Sequence, residues 1–124
     1  MKEYTIKVYD DGIKHWYLNG KLHREDGPAI EGSDGNKYWF LNGKRHREDG
    51  PAIERINGTK SWYVNGKRHR EDGPAIEFVN GNKYWYLNNE ELSEEKFNVI
   101  TQTVVEMTME EICNALGKNI KVIK

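Results

Sequence analysis

The sequence predicts a mainly β protein: a single-layer antiparallel meander of repeated hairpins, ending in a small α+β C-terminal cap of two short helices and a short terminal strand. Three observations predict it. "KYWFLNGKRHREDGPAIE" at residues 37–54 returns 23 residues later as "KSWYVNGKRHREDGPAIE", and "KHWYLNGKLHREDGPAIE" precedes it at 14–31. Every copy joins a short aromatic run to an Asn-Gly pair. A fourth copy opens as "KYWYLNN" at Lys83 and then breaks off. A fixed period of this size marks an array of stacked supersecondary units. The repeats start at 14, 37, 60 and 83.

Before the first repeat, "MKEYTIKVYDDG" alternates apolar and polar residues as a strand does, and it lacks the continuous apolar run of a signal peptide. Within each repeat, Trp16, Trp39, Trp62 and Trp85 hold one position. Leu18, Leu41, Val64 and Leu87 follow two residues later, on the same strand face. Tyr17, Phe40, Tyr63 and Tyr86 face the other way. Asn19-Gly20, Asn42-Gly43 and Asn65-Gly66 then give a hairpin turn, because both residues tolerate positive φ. The returning segment bends at Asp-Gly-Pro, where Gly27, Gly50 and Gly73 supply freedom and the proline removes a ladder donor. A second turn, "DGN", "NGT" or "NGN", leads to the next copy. One hairpin is unstable alone in water, so neighbours must bury its faces.

In the fourth copy "NEELSEEKFNVI" replaces the return strand. An open sheet end invites aggregation, and the sequence turns helical here. Ser93 suits an N-cap, with Glu94 and Glu95 in the first turn and Phe97, Ile100 and Val104 along one face. A second helix carries a capping box from Thr108 to Glu111, an apolar stripe of Met109, Ile112, Cys113 and Leu116, and a stop at Gly117. "NIKVIK" reads as the last strand. Residues 1–90 are thus the hairpin array and 91–124 the cap, expected to form one compact unit.

Composition narrows the function. Only 36% of residues are hydrophobic, yet four Trp, seven Tyr and three Phe argue for a thin folded body rather than disorder. With 19 basic against 20 acidic residues, the balanced charge disfavours nucleic acid as a partner. No apolar run is long enough to span a bilayer. Cys113 is alone, which excludes an internal disulfide and a cysteine zinc cage. The expected setting is the cytoplasm.

The unit "NGKRH", a turn, a strand and a second Asn-Gly on the 23-residue period resembles MORN repeats. The longer wording, with Trp, Asn-Gly-Lys and His-Arg-Glu-Asp-Gly-Pro-Ala, is similar to MORN-like variants of bacterial and phage proteins. The likeness covers 14 to about 90. It departs where the common unit has Gly after His, since Arg24, Arg47 and Arg70 stand there. The resemblance implies a twisted antiparallel sheet used for binding. The ending "EMTMEEICNALGKNIKVIK" resembles C-terminal segments of small phage and prophage proteins. This implies a phage-encoded inhibitor acting in a bacterial cytoplasm on a host defence protein, such as a CRISPR-type nuclease.

No catalytic or metal site is expected, and no cofactor. His23, His46 and His69 each precede Arg, Glu and Asp, but catalytic sites are single and this set occurs three times. Glu25, Glu48 and Glu71 lack the pocket that shifts a carboxyl pKa. The expected function is a non-enzymatic scaffold for protein–protein interaction. Its candidate binding ladder comprises Arg24, Arg45, Arg47, Arg68 and Arg70 with Tyr17, Phe40, Tyr63 and Tyr86. Trp16, Trp39, Trp62, Trp85, Gly27, Gly50 and Gly73 are its structural residues. Positions that vary between copies are the expected partner-reading ones: Leu22 against Arg45 and Arg68, His15 and Ser61 against Tyr38 and Tyr84, and the pairs Gly32-Ser33, Arg55-Ile56 and Phe78-Val79. The alternative is a binder that sequesters a small anion or nucleotide on the repeated Arg and His ladder.

Overall fold

Asn19, Asn42 and Asn65 all have φ 52°, and Gly20, Gly43 and Gly66 follow at 76°, 79° and 80°. Two successive left-handed residues make the type I′ turn whose twist matches antiparallel strands. The computed structural model describes residues 3–102. Two compact units result, Met1–Glu91 and Leu92–Lys124.

In the first unit β1 (Tyr4–Val8) pairs with β2 (Lys14–Leu18), so that Ile6 faces Trp16. β3 (Lys21–Leu22) folds back on the second half of β2, and β4 (Ile30–Glu31) returns to its first half. The second repeat holds β5 (Lys37–Tyr38), β6 (Phe40–Leu41), β7 (Lys44–Arg45) and β8 (Ile53–Glu54). The third repeats the pattern as β9 (Lys60–Ser61), β10 (Tyr63–Val64), β11 (Lys67–Arg68) and β12 (Ile76–Glu77). β13 (Lys83–Leu87) and β14 (Glu90–Leu92) close the series. The order β1-β2-β4-β5-β8-β9-β12-β13-β14, with β3 on β2, is a meander. β6-β7 and β10-β11 form two small hairpins.

Continuous strands are expected in every repeat, but the two inner ones break at Trp39 and Trp62. Every full repeat changes partner at its Trp, but β1 pairs along the whole of β2 and keeps it continuous at Trp16, whereas Trp39 and Trp62 have no such neighbour. Trp39 N–H donates to Ala52 O (2.8 Å) on the main-sheet side, while its carbonyl accepts from His46 N–H (3.1 Å) in the hairpin. Trp62 does the same with Ala75 and His69 (2.7 and 3.1 Å). The loop from His46 to Pro51 is the excursion between the two partners. Each hairpin also bonds to the one before it, through Arg24 N–H to Phe40 O (3.1 Å) and Gly43 N–H to Leu22 O (2.8 Å). Those bonds recur at Arg47–Tyr63 and Gly66–Arg45 (3.1 and 2.8 Å).

The core is thin. Ala29, Ala52 and Ala75 are wholly buried at the forks, and no large side chain among the described residues is. All four repeat tryptophans are half-buried. In the second unit a helix, α1, covers residues 94–102. Ser93 Oγ accepts from Lys96 N–H at 3.1 Å, the expected N-cap. Phe97 is buried at 3% exposure. The second helix at 108–117, Val104, Cys113 and the last strand lie outside the described residues. Among those described, no helix is long and apolar enough to cross a membrane.

Candidate binding surface

Directly opposed residues share a sheet face, so the register defines two faces. One carries the tryptophans. There Arg24, Arg47 and Arg70 hold Cζ 4.1, 4.0 and 3.9 Å from the ring centres of Trp16, Trp39 and Trp62. Each Nε donates to the Asp two residues on, at 3.1, 2.9 and 2.8 Å. Each Nη1 donates to the Pro carbonyl four residues on, at 3.2, 3.0 and 3.0 Å. The same Nη1 reaches Glu31, Glu54 or Glu77, at 3.0, 3.1 and 3.2 Å. The hydrogen bond and charge of Arg47 hold the exposed Asp49 carboxyl below the usual aspartate range.

Gly27, Gly50 and Gly73 belong to the same arrangement. The sequence suggests conformational freedom as their role, but none has a positive φ. They are needed for close approach: a Cβ at Gly50 would lie 2.9 Å from Arg47 Cζ, and one at Gly27 or Gly73 3.0 Å from its arginine. Cζ is the nearest atom in each case, ahead of the guanidinium nitrogens. The glycine therefore covers one face of the guanidinium and the indole covers the other.

The histidines bind repeats together. His23, His46 and His69 Nδ1 accept the backbone N–H of Asn42, Asn65 and Asn88, nineteen residues on, at 2.9, 2.9 and 3.0 Å. Nε2 must then carry the proton, which it donates to Glu25, Glu48 or Glu71 at 3.2, 3.3 and 3.4 Å. Both ring nitrogens are used. Among the described residues, no His, Cys, Asp and Glu group is arranged to hold a metal ion. Open notches of about 630 and 760 Å³ separate consecutive loops. Their Arg, Glu and Asp side chains belong to the pairs just described.

A charge ladder that letter-by-letter reading misses crosses this face. Lys14 opposes Glu31, Glu31 opposes Lys37, and the alternation continues through Glu54, Lys60, Glu77 and Lys83. Exposed pairs contribute little each, but opposite charges at every step favour this register. The signal was present in the sequence as Lys and Glu kept in every full copy.

The other face carries the tyrosines. Arg45 Cζ lies 5.9 Å from the Phe40 ring and 5.6 Å from Tyr63, and Arg68 Cζ lies 6.0 Å from Tyr63 and 5.4 Å from Tyr86. Ring and guanidinium thus alternate along successive hairpins. Tyr17 and Leu22 face each other at the start of this ladder. Burial, reinforced by a hydrogen bond with Tyr9, raises the Tyr17 hydroxyl above the usual tyrosine value. Arg55 reaches Tyr38 Oη (3.4 Å) on this face, and Lys7 lies 5.0 Å from the Tyr9 ring centre. None of Lys7, Arg45, Arg55 and Arg68 forms an ion pair among the described residues. Arg68 Nε is buried without a hydrogen-bond partner. Glu91 stands at the far end and accepts from Tyr86 Oη (3.5 Å).

The sheet-edge turns carry varied apolar residues. Ile56 and Val79 are 74% and 70% exposed, and Phe78 meets Tyr84 edge to face at 5.8 Å. Of the residues singled out in the sequence, Tyr17, Phe40, Tyr63, Tyr86, Arg45 and Arg68 come together on the tyrosine face. Arg24, Arg47 and Arg70 lie on the opposite face with Trp16, Trp39 and Trp62. Trp85 has no such arginine, since Ser93 stands at the equivalent position.

No protein-family model, curated protein or solved structure matches this chain. The likeness to MORN repeats remains one of wording and period.

Proposed function

We propose that this chain is a non-enzymatic repeat scaffold, of MORN-like construction, that binds another protein through its tyrosine face. One observation carries the reading: the two faces divide the arginines. Arg24, Arg47 and Arg70 spend Nε and Nη1 on acids and carbonyls of their own repeats. Arg45 and Arg68 are held by rings alone and keep N–H donors for a partner. The backbone bonds between hairpins fix these side chains in advance, which lowers the entropy lost on binding. The same division disfavours a small anion held by Arg24, Arg47 and Arg70. The resemblance of the tail to phage proteins makes a bacterial defence protein of the CRISPR type the first partner to try.

Affinity capture from a bacterial lysate tests this. Wild-type bait should retain a protein that the Arg45→Ala/Arg68→Ala bait loses and the Lys44→Ala bait keeps. Lys44 faces Leu41, on the tryptophan side. Capture that ignores the tyrosine-face changes would refute the proposal.

A further inference from the structure

We propose that the tyrosine face recognises an acidic, extended segment of its partner in which carboxylates recur every third residue in a polyproline-II-like conformation. This rests on the scaffold reading above and adds the chemistry of what is bound. Three observations lead to it.

The first is charge. Lys7, Arg45, Arg55 and Arg68 bring positive charge to this face without ion-pair partners among the described residues, whereas the Lys and Glu of the tryptophan face alternate. Lys21, Lys44 and Lys67 on the tryptophan side also lack ion pairs among the described residues, but every arginine without an acid (Arg45, Arg55 and Arg68) lies on the tyrosine face. Two guanidiniums without acids are complementary to carboxylates, which they bind in a planar, two-pronged fashion.

The second is occupancy of the rings. Tyr63 is approached by Arg45 and by Arg68, at 5.6 and 6.0 Å, and Tyr86 by Arg68 at 5.4 Å. A nucleobase stacks on an open aromatic face, and a guanidinium stands beside each of these rings and competes for that place. Donor edges, not ring faces, are what the ladder offers. This favours a carboxylate-bearing peptide over a single-stranded nucleic acid.

The third is spacing. Arg45 and Arg68 occupy the same position in consecutive hairpins, which are bonded through Arg47 N–H to Tyr63 O and Gly66 N–H to Arg45 O. Two strand spacings separate them, or about 10 Å. A polyproline-II segment advances about 9.3 Å in three residues and returns to the same side, because it has three residues per turn. In a β-strand, residues three apart point to opposite faces. Hence the period of three and the conformation go together. Exposed Phe78, Val79 and Ile56 on neighbouring turns offer apolar contact to the same kind of extended chain.

Fluorescence anisotropy with the full-length protein and labelled peptides tests this. The probes are a (Glu-Pro-Pro) repeat, the same composition with its Glu residues clustered, a (Gln-Pro-Pro) repeat, and an oligothymidylate of equal length. The Glu-Pro-Pro peptide should bind in a salt-sensitive manner, and the Gln-Pro-Pro peptide should not bind. Arg45→Ala and Arg68→Ala should each weaken binding about tenfold or more, the range for hydrogen bonds to charged groups. Arg45→Lys keeps the charge without the fork and should lie between, while Lys44→Ala should bind as wild type. Equal affinity for the clustered peptide would overturn the spacing rule. Tighter binding of the oligothymidylate, lost in the same arginine variants, would overturn the peptide in favour of nucleic acid. If lysate capture depends on Arg45 and Arg68 while no peptide binds, this inference falls and the scaffold reading stands. If capture ignores both arginines, the two fall together.

Discussion

Substituting Gly50 by Ala should change sign with the residue at 47. In the wild type the new Cβ would sit 2.9 Å from Arg47 Cζ and 3.1 Å from Nε, while Trp39 blocks retreat with its ring centre 4.0 Å from Cζ. The guanidinium must leave its slot. It then loses the stack on Trp39, about 0.5–1 kcal/mol at a partly exposed site. It also loses the bond from Nη1 to Pro51 O (3.0 Å), about 1 kcal/mol. The Glu54 pair, with that carboxylate side chain 34% exposed, adds about 0.5 kcal/mol at most. The pair with Asp49 is open to solvent and adds only slightly to this loss. Against these losses, Gly→Ala at a position without positive φ stabilises by about 0.4–1 kcal/mol through the unfolded chain. The net expectation is a loss of about 1–2 kcal/mol. With Arg47→Ala already present the steric opponent is gone, and Gly50→Ala should be neutral or stabilising by about 0.5 kcal/mol. Urea denaturation of the four members of this cycle measures the coupling, expected near 2 kcal/mol. A cost for Gly50→Ala that is the same in both backgrounds would refute the sandwich.

The histidines should rank by burial. His23→Ala, at the most buried of the three, is expected to cost about 1–3 kcal/mol by stranding the Asn42 N–H, with His46→Ala and then His69→Ala costing less. An Asn at the same site carries an acceptor near the place of Nδ1, so thermal melts should show His23→Asn recovering part of the loss. Trp39→Ala removes a half-buried ring together with its guanidinium contact, and denaturant midpoints should place the cost nearer 2 than 5 kcal/mol, below the range for a fully buried Trp. For Asp49 the sign is that of a depressed carboxyl. Its stabilisation is complete above the ordinary aspartate value of about 3.9 and is lost as pH falls through the lower folded-state value. Asp49→Asn should therefore lower the melting temperature slightly at pH 7 and have no effect in strong acid.

The period, the type I′ turns, β1 and the Ser93 cap were all legible, because each is written in a few consecutive residues whose backbone geometry is local. The breaks at Trp39 and Trp62 were not. A run such as Lys37–Leu41 alternates in the same way whether it keeps one partner or exchanges Ala52 for His46 midway, and only the path of the intervening loop decides. The same limit governs the site. Arg45 and Arg47 are both arginines of one segment, two residues apart, and no letter distinguishes them. Arg47 finds Asp49 and Glu54 because it faces the tryptophan side, where the return strand brings Glu54 opposite Lys37. Arg45 faces the other way and meets rings. Comparison between copies gave a better clue, since Leu22 occupies the position of Arg45 and Arg68 while Arg24 does not vary.

That variation follows from how a ladder ends. A guanidinium between rings needs one from its own repeat and one from the next, so four aromatic positions, at 17, 40, 63 and 86, leave three gaps. Arg45 and Arg68 stand in two of them, each with a ring centre on both sides, at 5.9 and 5.6 Å for Arg45 and 6.0 and 5.4 Å for Arg68. Leu22, opposite Tyr17, stands where the first gap lies and keeps it uncharged. Position 91 has Tyr86 behind it and no fifth repeat ring ahead, so an arginine there would have one neighbour instead of two. The chain places Glu91 there, where it accepts from Tyr86 Oη. An acid at this point also gives a bound carboxylate a repulsive boundary. The cationic stretch is therefore two rungs long, limited at one end by an apolar residue and at the other by a negative charge. A partner segment with two acids in register satisfies it, and a longer acidic run meets Glu91.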